Sequence, residues 1–325
     1  FNLSEKNKKP LFETVSTLVH PVNAKAIKKA LYQSVLLGET GDGKRIFLYD
    51  FAHDCPVMAE IARLRELTFR TVEEGTGFAL DMDRFDVYYR HIVLWDDNDL
   101  EIVGAYRIGE GSHIMNLYGV EGFYTHTLFD LQGHFASYLP ESIELGRSFV
   151  QPRYWGQRSL DYLWYGIGAY LRGQPQVKYL FGCVSMSHAY PQLAKELIIS
   201  FYRQQFSSSF FSANARQPFI VSDTNKQFAE TAFSADYSTS FKILNSELKK
   251  LGVKVPILYK QYVELCIDNG CHFIDFNLDP DFNNCVDGLI MVEIDKITPK
   301  KKNRYITKTL NEKRADESVA ISSEH

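Results

Sequence analysis

The segment from Ile143 to Leu171 places an anion-binding turn between a strand pattern and a helix pattern. IELGRSFV (143–150) reads as a strand, and Pro152 and Gly156 mark the turn. The helix that follows carries Leu160, Leu163, Trp164, Ile167 and Leu171 on one apolar stripe. A glycine-bearing turn entering a helix presents unpaired backbone N–H groups at the positive end of the helix dipole. Arg153-x-x-Gly156-x-Arg158 adds two guanidiniums suited to a phosphate. The same spacing also describes a capped helix with surface arginines. Cys183 sits in a strand pattern with no partner nearby in sequence, which argues against a cysteine nucleophile.

The elements that must position this turn read as a mixed α/β layer. Val22 to Leu36 is rich in helix formers, and Glu39–Lys44 is a turn cluster. Arg45–Phe51 reads as a strand. Pro56 opens a helix to about Arg70, with Val57, Ile61 and Leu64 at helical spacing. Residues 71–86 read as a loop. Tyr88–Trp95 and Glu101–Ile108 form a hairpin across Asp96–Asp99, and residues 109–141 are mixed. After the strand–turn–helix unit come a strand at Tyr179–Ser187 and a helix from Pro191. Residues 207–240 show little periodicity. Helices at 241–250 and 256–267 and strands near 271–277 and 287–294 close the pattern. The hairpin near the start excludes a purely parallel doubly wound sheet. The expected division is an arm or linker over 1–44, one domain over 45–297 and a polar, partly disordered tail over 298–325.

Composition bounds the function classes. The 325 residues are 45% apolar and 23% charged, an ordinary globular balance that excludes disorder as a whole-chain reading. A net charge of −4 denies a general nucleic-acid role its electrostatic footprint. Five scattered cysteines without a Cys-x-x-Cys pair argue against a disulfide scaffold and a structural zinc site, and for a reducing compartment. No apolar run approaches the ~20 residues of a membrane span, and no secretory signal opens the chain.

Several blocks carry a family resemblance. The turn resembles the pyrophosphate-binding turn of the GNAT acetyltransferases, with Arg158 in place of their last small residue. Arg65-x-x-x-Phe69, Asp83-x-x-Asp86, Arg107 and Glu144-x-x-Arg147 occur in an order similar to that of the acyl-homoserine-lactone synthases. More closely, RLRELTFRTVEEGTG, LDMDRFDVYYRHIVLW, EIVGAYRIG, FYTHTLF, IELGRSFVQPRYW, VPILYKQYVELC and DPDFNNCVDGLIMV resemble the ornithine-lipid N-acyltransferase family, often labelled "hemolysin". The likeness covers roughly residues 45–306. It implies a GNAT-like mixed sheet flanked by helices, with a C-terminal extension. In longer relatives this unit follows an O-acyltransferase domain, so a chain that opens on Phe1 is expected to be a cut piece. His91-x-x-x-x-Asp96 has the spacing of the His/Asp pair of glycerolipid O-acyltransferases, but it spans a strand and a hairpin turn and is discounted.

The implied reaction is transfer of a fatty acyl group, often 3-hydroxylated, from acyl carrier protein to the α-amine of ornithine or a similar amino acid. The acyl-phosphopantetheine arm is then a co-substrate, in preference to acyl-CoA, with no bound cofactor or metal. Glu144 is the expected base, directly or through water. Backbone N–H groups around Gly146–Ser148 are the expected oxyanion donors. Arg107 or Arg147 would hold the acceptor's carboxylate. Asp83 and Asp86 would take a side-chain amine, with Arg65 beside them. Arg153, Gly156 and Arg158 would hold the phosphate, and Arg153, Arg158, Arg172 and Lys178 would face the acidic carrier. Trp95, Phe149, Trp164 and Phe181 would line the acyl slot. Glu144 and Arg147 point to opposite faces of a regular strand, so both serve one site only if the strand bulges, expected at Gly146. Without a bulge, Arg147 pairs with Asp83 or Asp86 instead. The expected setting is the cytoplasmic side of the inner membrane, with peripheral lipid contact, for instance through Lys300–Lys302. The competing readings are an enzyme making another N-acyl amino acid, such as a glycine, lysine or signalling amide, and a non-catalytic domain that docks carrier protein or regulates an upstream O-acyltransferase.

Overall fold

Alternation along the hairpin strands decides which helix covers which face. Ile46, Leu48, Ile92 and Leu94 point into one apolar cluster with Leu163, Trp164 and Ile167. Their neighbours Phe47, Tyr49, Val93 and Trp95 point the other way, into a cluster with Val57, Ile61 and Leu64. The sheet is therefore buried on both sides. The structure, a computed structural model, describes residues 15–307 apart from Asp54, Ala235 and Asp268. In chain order its elements are α1 (Ala24–Leu31), β1 (Val35–Glu39), β2 (Lys44–Asp50), α2 (Pro56–Thr71), β3 (Arg90–Asp96), β4 (Glu101–Glu110), α3 (Gly111–Tyr118), β5 (Phe129–Asp130), β6 (Ser142–Val150), α4 (Ser159–Arg172), β7 (Tyr179–Met186), α5 (Gln192–Gln205), β8 (Asn214–Ala215), α6 (Asp223–Ala232), α7 (Tyr237–Lys250), α8 (Ile257–Val263), β9 (Cys271–Asp279), β10 (Cys285–Glu293) and α9 (Pro299–Lys302).

The main sheet runs β1-β2-β3-β4-β6-β7-β10-β9. Every neighbouring pair is antiparallel except β6 and β7. That parallel pairing lasts three residue pairs, from Ser142–Tyr179 to Glu144–Phe181. One close approach follows. A Cβ on Gly182 would lie 2.1 Å from the Leu145 carbonyl oxygen, so only glycine fits there. Beyond it the strands part, and the space between them is the candidate site described below. The GNAT-like mixed sheet expected from the sequence is present, with its C-terminal hairpin β9–β10 antiparallel to β7.

The ends differ from expectation. Of the 1–44 stretch read as an arm or linker, the described part builds α1 and the edge strand β1, and it buries Ile27 and Leu31 against α2. Helix formers run on to Leu36, but pairing with β2 claims Val35 and Leu36 as strand. In the tail, Tyr305 is buried beside Trp164 and Tyr165, and its hydroxyl donates to Asp161 Oδ1 at 2.7 Å. Arg304 pairs with the same carboxylate. The chain from Thr298 to Thr307 thus packs on α4. The rest of the tail, like the basic run Lys6–Lys9, lies outside the described residues. The weakly periodic 207–240 stretch holds α6 and the start of α7, short polar helices that little apolar patterning announces. No helix among the described residues is long and apolar enough to cross a membrane.

Gly182→Ala should lower stability by about 1–3 kcal/mol, the usual cost of forcing atoms into packed space. Chemical denaturation measures it, and a change within error would show that β6 and β7 tolerate a side chain at their point of divergence.

Candidate active site

β6 does bulge, at Arg147, one residue beyond the Gly146 at which a bulge would have let Glu144 and Arg147 serve one site. Yet Arg147 also pairs with Asp83, the outcome expected without a bulge. Arg107 pairs with Gly146 and Ala105 with Phe149, so two residues of β6 oppose one of β4. Arg147 takes the left-handed conformation, with φ of 47°. The insertion turns the Arg147 side chain to the α2 face, the face that Glu144 also uses. It also exposes the Gly146–Ser148 backbone to the gap between β6 and β7.

That gap holds a cavity of about 110 Å³ lined by Tyr124, Thr125, Gly146, Arg147, Ser148, Cys183, Ser185, Asp279, Cys285 and Asp287, among others. Through shared walls at Phe69, Glu74, Ser148 and Leu258 it adjoins an apolar groove of about 590 Å³. The groove runs between the C-terminal turn of α2, the end of β6, the turn ahead of α4 and the first residues of α8. Through Tyr124, Arg147, Asp279 and Phe282 the cavity adjoins a second opening of about 560 Å³, which carries Asp81, Asp83 and Asp281. One narrow chamber therefore joins an apolar approach to an acidic one.

The expected site residues divide into three groups. Arg65, Arg107, Arg147, Asp81, Asp83 and Asp86 form a charge-balanced network on the α2 face. Arg65 Nη1 and Nη2 donate to the two Asp86 oxygens at 2.7 and 3.0 Å, and its Nε donates to Asp81 Oδ2 at 3.1 Å. Arg107 Nη1 donates to Asp83 at 2.7 Å and to Asp86 at 3.1 Å. Arg147 pairs with Asp81 at 3.2 Å and Asp83 at 3.3 Å, and its guanidinium lies over the rings of Tyr124 and Phe282. His91, which completes the cluster, is within 3.2 Å of Asp86. Burial alone would raise the pKa of Asp86, but Arg65 and Arg107 outweigh it and hold the carboxyl well below the usual range. Asp83 and Asp86 also close a capping box on the short turn Arg84–Val87. Much of their bonding capacity is thus spent on folding the loop after α2. Of the network, Asp81, Asp83 and Arg147 reach the openings.

Glu144 stands behind the chamber, not on its wall. One carboxylate oxygen accepts from the Thr125 N–H at 2.7 Å and the Thr125 hydroxyl at 2.6 Å, and the other accepts from the Tyr89 hydroxyl. It is 2% exposed, and burial raises its pKa against these bonds. Gly146, Ser148 and Phe149 line the chamber or the groove. Trp95 does not: it is fully buried under α2, because strand alternation points it into that cluster. Phe181 is core for the same reason, and Trp164 is core because the apolar face of α4 packs on the sheet. Gly156, with φ of 77°, lies at the groove mouth with Gln157 and Ser159. Arg158 is exposed there, while Arg153 is bound outside to Asp99 and Glu101. Arg172 ends α4, ~20 Å from that mouth at 1.5 Å per residue. Lys178 precedes β7 and pairs with Glu141.

Sequence reading missed a second set of acids. Glu74, Asp279 and Asp287 all line the chamber. Asp287 Oδ1 accepts from the Ser185 hydroxyl at 2.6 Å. Burial, then neighbouring Asp279, pushes Asp287 up to about 7, and burial, then Asp287, pushes Glu74 up to about 8. A signal existed: Asp287 is a lone carboxylate inside CVDGLIMV, a run that otherwise reads as buried strand. Asp279, Cys285 and Asp287 bring ligand-type atoms within 4.8 Å of one another. Burial raises the pKa of the Cys285 thiol and of the Asp279 and Asp287 carboxyls, so each would have to give up a proton to ligate a metal ion.

A chamber at the splay of two parallel strands, fed by a long apolar groove, suits acyl transfer, and the known proteins agree. Residues 64–165 match the family described as an acetyltransferase (GNAT) domain. Over 89% of the chain and 89% of its own length, a glycine N(alpha)-acyltransferase of Bacteroides thetaiotaomicron is 30% identical. A glycine N(alpha)-acyltransferase of Phocaeicola vulgatus is 30% identical over 94% of the chain and 97% of its length. An L-ornithine N(alpha)-acyltransferase of Brucella abortus is 32% identical over 41% of the chain and 51% of its length. The chain belongs to the N(alpha)-acyltransferase family of the GNAT fold. It is an acyltransferase. A solved structure, that of the AHL synthase LasI, covers 83% of the chain and 98% of its own at a TM-score of 0.38 and 10% identity, too loose a likeness to argue from.

In this acyltransferase the charge network is structural support for the wall that carries Arg147. Arg65→Ala would leave two buried carboxylates short of a partner and should cost about 3–5 kcal/mol. Urea unfolding measures the loss; a cost under ~1 kcal/mol would mean that the loop after α2 is held by other contacts.

Proposed function

We propose that this acyltransferase moves a long-chain acyl group from a phosphopantetheine thioester on acyl carrier protein to the α-amine of a small amino acid, with glycine the first candidate. The product is an N-acyl amino acid, a lyso-lipid. The observation that carries this reading is the joined space: an apolar groove of about 590 Å³, a chamber of about 110 Å³ and an acidic opening beyond. Ligand pockets of this kind usually span 300–1,000 Å³. The groove is long enough in apolar wall to hold an acyl chain, and the chamber is small enough to favour a small acceptor. The glycine-named relatives match nearly the whole chain, the ornithine-named one 41% of it, which moves the acceptor from ornithine towards glycine.

The reaction needs few groups. The amine nitrogen attacks the thioester carbonyl, the C–N bond forms and the C–S bond breaks. Backbone N–H groups beside Gly146 and Ser148 border the chamber and suit the oxyanion of the tetrahedral intermediate. Arg147 faces the chamber, and what its pairs with Asp81 and Asp83 leave of the guanidinium suits the acceptor's carboxylate. At the groove mouth α4 begins without a side-chain cap, and the Ser159 hydroxyl is buried without a partner. Together with Arg158 these groups favour the single phosphate of the pantetheine arm over the pyrophosphate of coenzyme A. Val72, Trp155 and Ile257 are exposed apolar residues on the groove rim. They suit release of a lyso-lipid to a bilayer, in keeping with a peripheral position at the cytoplasmic face of the inner membrane.

Purified protein incubated with 3-hydroxyacyl carrier protein or the matching acyl-CoA, and with glycine, ornithine, lysine or serine, tests the reading by product mass spectrometry. Glycine with the carrier thioester should give the highest kcat/KM. A side chain on Gly146 would enter the chamber, since an added Cβ meets nothing within 4 Å. Gly146→Leu should therefore lower turnover roughly a hundredfold or more while leaving Tm unchanged. Absence of amide with every amino acid would overturn the proposal.

A further inference from the structure

We infer that Asp287 on β10 takes the proton from the incoming amine, with Ser185 on β7 as its positioning residue and the acceptor's ammonium as the cation that completes the acidic wall of the chamber. The inference rests on the chamber being the place of amide formation, and it assigns there the proton-transfer role that the sequence pointed to Glu144.

Three observations carry it. The first is placement. Asp287 pairs with Ser185 across the β10–β7 ladder, and both side chains face the chamber, as do Cys183 and Cys285 two residues away on the same strands. The hydrogen bond from Ser185 fixes the carboxylate in the wall of the space that the groove supplies.

The second is the charge balance. Asp81, Asp83 and Asp86 are all ion-paired. Glu74, Asp279 and Asp287 are not: among the described residues, no Lys, Arg or His nitrogen lies within ion-pair distance of them. They converge on one chamber of about 110 Å³. The groups facing Asp287 are Asp279 from β9, Cys285 beside it on β10, Cys183 and Ser185 from β7, Arg147 from β6, Glu74 from the loop after α2, and Tyr124 and Thr125 from the segment before β5. Arg147 supplies the guanidinium of that wall, and it is already committed to Asp81 and Asp83. A small ammonium is the cation these acids lack, and an amino-acid acceptor brings one together with a carboxylate for Arg147.

The third is contrast with Glu144. Both Glu144 oxygens are held by Thr125 and Tyr89, and it does not line the chamber. A base must come within hydrogen-bond reach of the proton it removes. Asp287 meets that condition, and its carboxyl, pushed up to about 7 chiefly by burial and then by Asp279, is poised to take and release a proton near neutrality.

The protons balance as follows. The acceptor arrives as an ammonium. Its first proton passes to the Asp287 carboxylate and then to solvent. The freed nitrogen lone pair forms the C–N bond, and the C–S electron pair departs with sulfur. The second nitrogen proton, taken again by Asp287, goes to the leaving thiolate, so an amide and a free thiol result and one proton is released to solvent.

The test uses the full chain, acyl carrier thioester and glycine. Wild-type kcat/KM should rise with pH through about 7, and Asp287→Asn should lose that limb and about 10²–10⁴-fold in kcat. Ser185→Ala removes a bond that favours the charged carboxylate, so the limb should move to higher pH. Glu144→Gln should leave the limb in place. Folding is checked in the same variants. A carboxyl whose native pKa exceeds its unfolded one supports the fold at low pH, and that support is lost as pH rises through about 7. Asp287→Asn should therefore melt higher than wild type at pH 8 and alike at pH 4. A folded Asp287→Asn enzyme with a wild-type rate and limb, or a limb unmoved in Ser185→Ala, overturns the assignment while leaving the amide reaction standing. A wild-type enzyme inert towards every amine removes both.

Discussion

The parallel contact between β6 and β7 ends after three residue pairs, and the site exists because it ends there. A continuous ladder would leave no chamber and no unpaired backbone facing one. Two local features make the break. Gly182 brings the strands as close as backbones come, beside the Leu145 carbonyl. The bulge at Arg147 then bends β6 away while keeping it bound to β4. That one inserted residue moves Arg147 to the side where Asp81 and Asp83 lie.

A strained, charged bulge must be held, and the network of three arginines and three aspartates holds it. Such clusters are weak sources of net stability, since desolvation offsets most of the attraction. Their value here is geometric. The network ties α2, the loop after it, β4 and β6 to one arrangement, and the loop is pinned again where Thr76 and Gly77 donate to Glu66. With its acids satisfied, the network leaves the chamber's own acids as the uncompensated ones. The two acidic sets thus differ in kind: one is saturated and fixes shape, the other is unsaturated and faces a ligand-sized space.

Much of this was legible in the sequence, and the parts that were not share a cause. The strands, the hairpin and the turn before α4 follow from local patterning, and the spacing of Glu144 and Arg147 showed that they could share a face only if β6 bulged. Blocks resembling known acyltransferases pointed to the right reaction class. Trp95 was misassigned because type and position suggest an aromatic wall, whereas only the sheet's final sidedness shows which face it occupies. Asp287 was missed because its importance arises from Ser185, a hundred residues earlier, and from the split between strands that no local pattern encodes. Arg304 and Tyr305 read as polar tail because the Asp161 carboxylate that binds them is farther still along the chain.

The two approaches to the chamber differ in a way that bears on acceptor choice. The apolar groove would suit an acyl chain, and the opposite opening, with Asp81, Asp83 and Asp281 on its wall, would not. An acceptor held by Arg147 with its amine at Asp287 would direct a side chain into that opening. Glycine sends nothing there. A longer amino acid with a terminal ammonium would place it beside Asp81, Asp83 and Asp281. On that reading, acceptor range would be set by the opening and not by the chamber. Phe78, Met82 and Asp281 touch the opening and not the chamber, so on the proposed reading a change there would alter acceptor choice and leave the chamber as it is.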